Sequence, residues 1–527
     1  MHGMILAAWL GCHRDEPSTS PTDPGVDPTD TATPGTSPWT STTSTPTTPT
    51  TPPCEVDPDL AVTGIDVAPL RHGNEVAVTV SLSSPATAAV ACRLRSDPSE
   101  VHLVEGTEAA TEHALRFGGL LAGEAYDCVA AAVCPATSAP EAFEVRTERP
   151  PDGLPAVTVT VDEPGAGAEY VLTNASPDEG WDEAQWMVVF DRDGRVRWWD
   201  RAPGGVGPSI EFRYHGDDRF VWGGGWGPNA LGRPRVLDLY AGEIYDSASA
   251  LPDVQSSAFH HDGKQLPDGR LLTLEQVTVY GTAGPFDGFR VRRVDPASGL
   301  VDFEYDSQRA IDEGHLPSGT GDAWHANWVD IVDNVLYVSL CEARRVLAVD
   351  VPTGDWRWSF GVDGDLQVIG SLGQPLGDDA YPQCQHGIEY RGTDDHLLVY
   401  DNGVFRGYTR ASEYRIDEAA GQAELVWTWS EPDWFETTLG DVDWLASGHV
   451  LVGACHAESF TSNRGDRTTI LEVDPATGDK VWELQYDALH TMAYRSDAAD
   501  PCALFANARY CDAVADRLAV LAPVLAP

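Results

Sequence analysis

From about residue 155 the chain alternates short apolar runs with polar turns, and the alternation repeats. An apolar run is followed by an aspartate or turn residue, then a glycine, then a second run that often ends in an aromatic. The pattern reads "MVVFDRDGRVRWW" from Met187, "RVLDLYAGEIYD" from Arg235 and "VRRVDPASGLVDFEYD" from Val291. It returns as "RVLAVDVPTGDWRWSFG" from Arg345, "ASEYRIDEAAGQAELVWTW" from Ala411 and "TTILEVDPATGDKVWEL" from Thr468. Each copy predicts a β-hairpin, because glycine adopts the turn conformations that other residues resist. Measured between their aspartates, the copies lie 47 to 67 residues apart, enough chain for one four-stranded sheet each. Six such sheets closed in a ring make a six-bladed β-propeller over residues 155–495.

Upstream the pattern changes. Residues 54–148 hold "EVAVTVSLS", "AAVACRLR", "YDCVAAAV" and "EAFEVRTE", β-rich runs broken at short intervals. They predict a small β-sandwich of the fibronectin type III or immunoglobulin-like kind. Tyr126 stands two residues before Cys128, the spacing of a tyrosine corner. Cys54, Cys92, Cys128 and Cys134 allow three pairings, among which the sequence does not choose. The fold class is therefore all-β, a sandwich ahead of a propeller. Residues 13–53 are almost wholly Ser, Thr, Pro, Asp and Gly and read as a disordered tether. "MHGMILAAWLGC" ahead of them reads as a lipoprotein signal over residues 1–12, with Cys12 acylated. That start implies export to the cell envelope, a membrane partner through the lipid anchor alone, and a compartment that permits disulfides. Residues 496–527 read as a C-terminal extension in which Cys502 and Cys511 close a short loop.

A second set of hairpins alternates with the first: "FHHDGKQLPDGRLLTLEQ", "WHANWVDIVDNVLYVSLC", "QHGIEYRGTDDHLLVYDN" and "LGDVDWLASGHVLVGAC". These predict the inner strands of successive blades. His260, His325 and His386 each lie ten residues before the residue that opens the following strand, Arg270, Val335 and His396. Three histidines at one blade position converge on the axis of a propeller, and His261 and Asn327 stand close enough in sequence to join them. Metal binding is one chemistry for such a set. Zinc triads, however, usually include a close ligand pair, and these histidines are widely spaced. Anion chemistry is the other, with an imidazole as nucleophile and its neighbours as hydrogen-bond donors. Charge sharpens the choice. The chain carries 82 acidic and 34 basic residues, a net charge of -48. Such a surface repels nucleic acid and anionic membranes, so an anionic substrate needs local donors of this kind.

"HHDGKQLPDGRLLTL", "WHANWVDIVDNVLYVS", "QHGIEYRGTDDHLLVYDNG" and "TRASEYRIDEAAGQAELVWTW" resemble, in that order, the bacterial arylsulfate sulfotransferases. The resemblance implies transfer of a sulfuryl group from an aryl sulfate to a phenol, with no cofactor and no metal. It places the transient sulfohistidine on His386 and the sulfate-binding residues on His260 or His261, His325 and Asn327. Arg410 matches a further arginine of the family and joins that set. One position departs: the family continues "YVSSR", and here "YVSLCEARR" puts Cys341 where the arginine stands. Arg344 and Arg345 follow too late unless their loop folds back. Cys341, Cys384 and Cys455 all lie near this rim, and either one disulfide with a free thiol or a Cys/His metal site accounts for them. Two other functions compete with the transferase: a non-catalytic propeller that binds a ligand or protein, and a metal-dependent hydrolase.

Overall fold

The computed structural model describes residues 55–134, 136–167, 170–175, 186–201, 209–214, 219–224, 235–240, 242–246, 259–432, 434–454, 467–488 and 491–525. The proposed signal, Cys12 and the tether lie outside these residues, as do Cys54 and Cys455, and so does the side chain of His260.

The described chain is nearly all β. Its N-terminal part is organised by one long strand, β1 (Val76–Leu94), which pairs with Val62–Pro69 and Ala110–Phe117 through its first half. Its second half pairs with Val101–Glu105 and with β2 (Ala125–Cys134). Val78, Val80, Val90 and Leu115 fill the core between the two halves. Cys92 faces Cys128 across β1 and β2, and the two form a disulfide, while Cys134 is also disulfide-bonded. The Tyr126 hydroxyl accepts the Leu121 N–H at 2.8 Å.

Six sheets built on four antiparallel strands follow, consecutive in all but one; two of them gain a fifth strand, Gln367–Ile369 parallel to Gln422–Trp429 and Val157–Asp162 antiparallel to Lys480–Tyr486. Their first strands are β3 (Ser209–Tyr214), β4 (Phe259–Gln265), β5 (Ala326–Val332), β6 (Gln385–Arg391) and β7 (Asp441–Trp444). The exception is the sheet of Tyr170–Ala175, Trp186–Asp191 and Val196–Arg201. Its fourth strand, β8 (Ser496–Ala499), comes from the far end of the chain. The sequence assigned Ser496–Ala499 to the C-terminal extension; pairing of Tyr170 with Ala499 makes it part of the sheet structure instead. Apolar clusters fill the spaces between neighbouring sheets, such as Leu274, Val329 and Leu336 in one and Trp328, Val346 and Leu397 in the next.

The N-terminal part docks through charge as well as packing. Arg197 is fully buried between Glu100 and Asp191, and its carbonyl accepts from Asn74 Nδ2 at 3.0 Å. Burial alone would raise the Glu100 carboxyl. Its hydrogen bonds to Arg197 and His102 win, and hold it far below the usual range. The last helix, Asp512–Leu525, lays Leu521 and Leu525 on Ala89, Leu103 and Ala131, and the Cys502–Cys511 disulfide closes the loop before it.

Candidate functional site

The first strands of the three sheets that carry or border His261, His325 and His386 enter irregularly. The ladder slips between Phe259 and Gly263 in β4, between Ala326 and Trp328 in β5, and between Gln385 and Ile388 in β6. Beside each slip a non-glycine residue takes the left-handed conformation: His261 at φ 57°, His325 at φ 48° and Cys384 at φ 55°. L-residues resist this region, which costs about 1–3 kcal/mol each where the surroundings enforce it. Bulges of this kind re-aim side chains at the rim of a sheet.

Turn length changes the register inferred from sequence. Ala326 pairs with Leu340 and Gln385 with Asp401, each the last residue of its strand. His325 therefore corresponds to Cys384, and Asn327 corresponds to His386. The hairpin after β5 turns over two residues, Asp333 and Asn334, and the one after β6 over four, residues 392–395, so equal ten-residue spacings end on different rungs.

His386 is 2% exposed. Its Nδ1 lies 2.8 Å from Asn402 Oδ1. Asn402 spends both amide hydrogens on carbonyls, those of Glu436 and Leu439, at 3.0 Å each. Its oxygen must then face His386 and accept, so Nδ1 carries the ring proton and Nε2 keeps its lone pair. Burial lowers the pKa of His386 to about 3, aided by His325 and Arg495, against the opposing hydrogen bonds to Asn402 and to the Cys384 backbone. The ring is neutral at physiological pH and presents one nucleophilic nitrogen.

A pair of histidines lies close by. His325 Nε2 is 3.1 Å from His261 Nε2. Asp322 grips His325 twice, at its backbone N–H (3.1 Å) and at Nδ1 (2.5 Å). The Asp322 carboxylate accepts from His325 Nδ1–H, which leaves Nε2 of His325 facing Nε2 of His261. Asn327 is buried and donates Nδ2–H to the Gln385 carbonyl at 2.8 Å, which ties β5 to β6 just before His386. Tyr494 joins the rings, with centroids 6.3 Å from His261 and 6.5 Å from His386.

Cys341 is bonded to Cys384, and both are buried. The Cys341 N–H donates to the His325 carbonyl at 3.1 Å. The position that departs from the family thus holds a bridge between the end of one hairpin and the start of β6. The loop does not fold back: Arg344 stacks on Phe405 with its guanidinium carbon 4.6 Å from the ring centroid, and Arg345 Nη2 donates to the Asp363 carbonyl. Arg410 is also held elsewhere, by Asp401 and the carbonyls of Ala380 and Tyr381. The arginine that meets the histidines is Arg495. Its Nη2 donates to the Asn327 carbonyl at 2.6 Å and the His386 carbonyl at 3.4 Å, and its Nη1 pairs with the buried Asp262 at 3.2 Å.

Sequence reasoning missed Arg495, Asp322, Asp262 and Asn402. Only Asn402 carried a signal, as the asparagine of the Y-D-N-G run. Among the described residues, three potential ligand atoms come within 4.8 Å of one another at Cys341, Cys384 and His386 alone. With both sulfurs bonded to each other, that group holds no metal in this state.

The model of the Arylsulfotransferase (ASST) family matches residues 157–495, more than half of the chain. The chain belongs to the arylsulfotransferase family. No curated protein matches it. Solved structures similar to it share little sequence. The Kuenenia stuttgartiensis hydrazine synthase is 16% identical over 43% of this chain and 49% of that one, with a TM-score of 0.27. This chain thus spans about half of that structure's length. A structure of the nidogen/laminin complex is 10% identical over 62% of this chain and 97% of that one, at 0.35. Apo AztD from Citrobacter koseri is 11% identical over 78% and 98%, at 0.25. Likenesses this weak carry no argument about chemistry.

Proposed function

We propose that this arylsulfotransferase-family protein moves a sulfuryl group from an aryl sulfate to a phenolic acceptor, with His386 as the covalent carrier. The observation that carries the reading is the buried, neutral His386, whose Nδ1–H is committed to Asn402 and whose Nε2 is left as the nucleophile. The Nε2 lone pair attacks sulfur, an N–S bond forms, and the S–O bond to the aryl group breaks. The phenolate leaves with the bonding pair. A second phenol then attacks the same sulfur, the N–S bond breaks, and the phenolic proton passes to solvent or to a neighbouring imidazole. His261, His325 and Asn327 surround the transferred group, and Arg495 supplies positive charge from behind the backbone of Asn327 and His386. The reaction needs no nucleotide and no metal.

The six sheets in this reading are the blades of a propeller, closed where β8 joins Tyr170–Ala175, and the N-terminal part is a fibronectin type III or immunoglobulin-like sandwich. Acylation of Cys12 would hold the protein at the cell envelope, with residues 13–53 as the tether, and its partners would be small phenols and aryl sulfates. The test is release of p-nitrophenol from p-nitrophenyl sulfate, dependent on added phenol. Wild type turns over and His386→Asn does not. An active His386→Asn removes the assignment, and an inactive wild type returns the protein to a ligand-binding role.

A further inference from the structure

The bridge beside His386 holds a second chemistry that transfer does not use. Cys341, Cys384 and His386 are 3%, 7% and 2% exposed, and a ligand atom from each lies within 4.8 Å of the other two. Their positions do not depend on the S–S bond alone. Gln385, next to Cys384, donates Nε2–H to the carbonyls of Leu340 and Arg345, at 3.2 and 2.8 Å, on either side of Cys341. The Cys341 N–H is held by the His325 carbonyl, and the Gln385 carbonyl accepts from Asn327. Breaking the disulfide therefore leaves two thiols and an imidazole facing one another on anchored backbone.

We propose that the reduced protein binds a zinc-like metal ion through Cys341, Cys384 and His386. Two thiolates and an imidazole are three of the four ligands of a tetrahedral zinc site, and the fourth position stays open. Two thiolate charges cancel the dication, so occupation adds no net charge to a buried place, which lone charges avoid. Asn402 completes the arrangement. Metal-bound histidines usually give their other N–H to an acceptor, and Asn402 Oδ1 already takes the Nδ1–H, leaving Nε2 to ligate. Reduction by a phosphine balances as follows: the S–S bond takes two electrons and two protons and becomes two thiols, while the phosphine gains the oxygen of a water. Metal binding then releases the thiol protons. The site and the carrier share His386. If that residue carries the sulfuryl group, as proposed above, the metal occupies its lone pair and stops transfer.

The full chain, reduced with a water-soluble phosphine and freed of it under nitrogen, is titrated with cobalt(II) and then zinc(II). Reduced wild type gains a thiolate-to-cobalt charge-transfer absorption that zinc abolishes, and oxidised wild type does not. Cys341→Ser/Cys384→Ser, which keeps every other cysteine, loses that absorption after reduction. His386→Ala keeps both thiols and holds cobalt at least ~10-fold more weakly, since even outer-shell partners of a ligand are worth that much. Absorption in reduced wild type no greater than in the double-serine variant overturns the site. Equal cobalt affinity in wild type and His386→Ala overturns the role of the histidine. Should the double variant fail to fold, the oxidised-against-reduced comparison and His386→Ala decide alone. Because the readout is metal binding, it stands or falls apart from any loss of sulfuryl transfer.

Discussion

Replacing Asn402 with alanine removes the acceptor that fixes the His386 tautomer. In the resting protein the Nδ1–H bond to Asn402 joins two neutral groups at 2.8 Å. In the proposed transfer, Nε2 bonds to sulfur, the ring becomes cationic and the same bond becomes charge-assisted. Neutral hydrogen bonds are worth about 0.5–1.5 kcal/mol net and those to charged groups about 1.5–3. The difference, about 1–2 kcal/mol, is stabilisation present in the transition state and absent before it. At 1.36 kcal/mol per tenfold, formation of the sulfo-enzyme should slow by roughly 5- to 30-fold. Freeing the other tautomer, in which Nε2 holds the proton and cannot attack, slows it further. The variant also strips donors from the buried carbonyls of Glu436 and Leu439, a loss of about 1–3 kcal/mol for each group left unsatisfied. The assay is single-turnover release of p-nitrophenol with enzyme in excess, alongside a thermal melt that establishes folding. A folded Asn402→Ala protein that releases p-nitrophenol at the wild-type rate refutes the tautomer argument.

Three further outcomes follow from the same geometry. Arg495→Ala removes the guanidinium paired with the buried Asp262 carboxylate and should cost about 3–5 kcal/mol of stability, as breaking a buried pair does; an unchanged denaturation midpoint contradicts the pairing. His386 should not titrate between pH 8 and 5 in NMR of histidine-labelled protein, its signal being assigned by its loss in His386→Asn. Its folded pKa lies near 3 and the ordinary value is 6.5, so the unfolded chain takes the proton first. Its contribution to stability is complete above pH 6.5 and is lost as pH falls toward 3, and a midpoint near 6.5 in the native protein would contradict the burial argument. Cys341→Arg should destabilise rather than activate, because it breaks a disulfide spanning 43 residues, worth ~4 kcal/mol on a chain-entropy basis; a gain in aryl sulfate turnover would show that the position still faces substrate.

The repeating hairpins were legible because each writes its turn locally: aspartate, then glycine, between apolar runs. Six sheets duly follow one another along the chain. β8 was not legible, since "SDAA" has no strand pattern of its own and is a strand only because Tyr170–Ala175 offers it a free edge. The histidines were visible as residues, but their register was not. His325 corresponds to Cys384 and Asn327 to His386 because the turn after β6 is two residues longer than the turn after β5, and the bulges beside them rest on left-handed backbone at non-glycine positions, for which sequence gives no warning. At Cys341 the sequence shows a cysteine where the resembled pattern has arginine. What occupies its place, a disulfide, and where a cation does stand, at Arg495, depend on contacts between residues far apart in the chain. Arg410 illustrates the converse: it matches a motif and is held by Asp401, away from the histidines.

The central claim is that sulfur passes through His386. Intact-mass measurement within seconds of mixing with an aryl sulfate, without acceptor, tests it most directly. Wild type should gain the mass of one SO3 group, the label should map to the peptide containing His386, and added phenol should discharge it. His386→Asn should gain nothing. Turnover by wild type with no such adduct, or an adduct of the same mass on His386→Asn, would contradict the account.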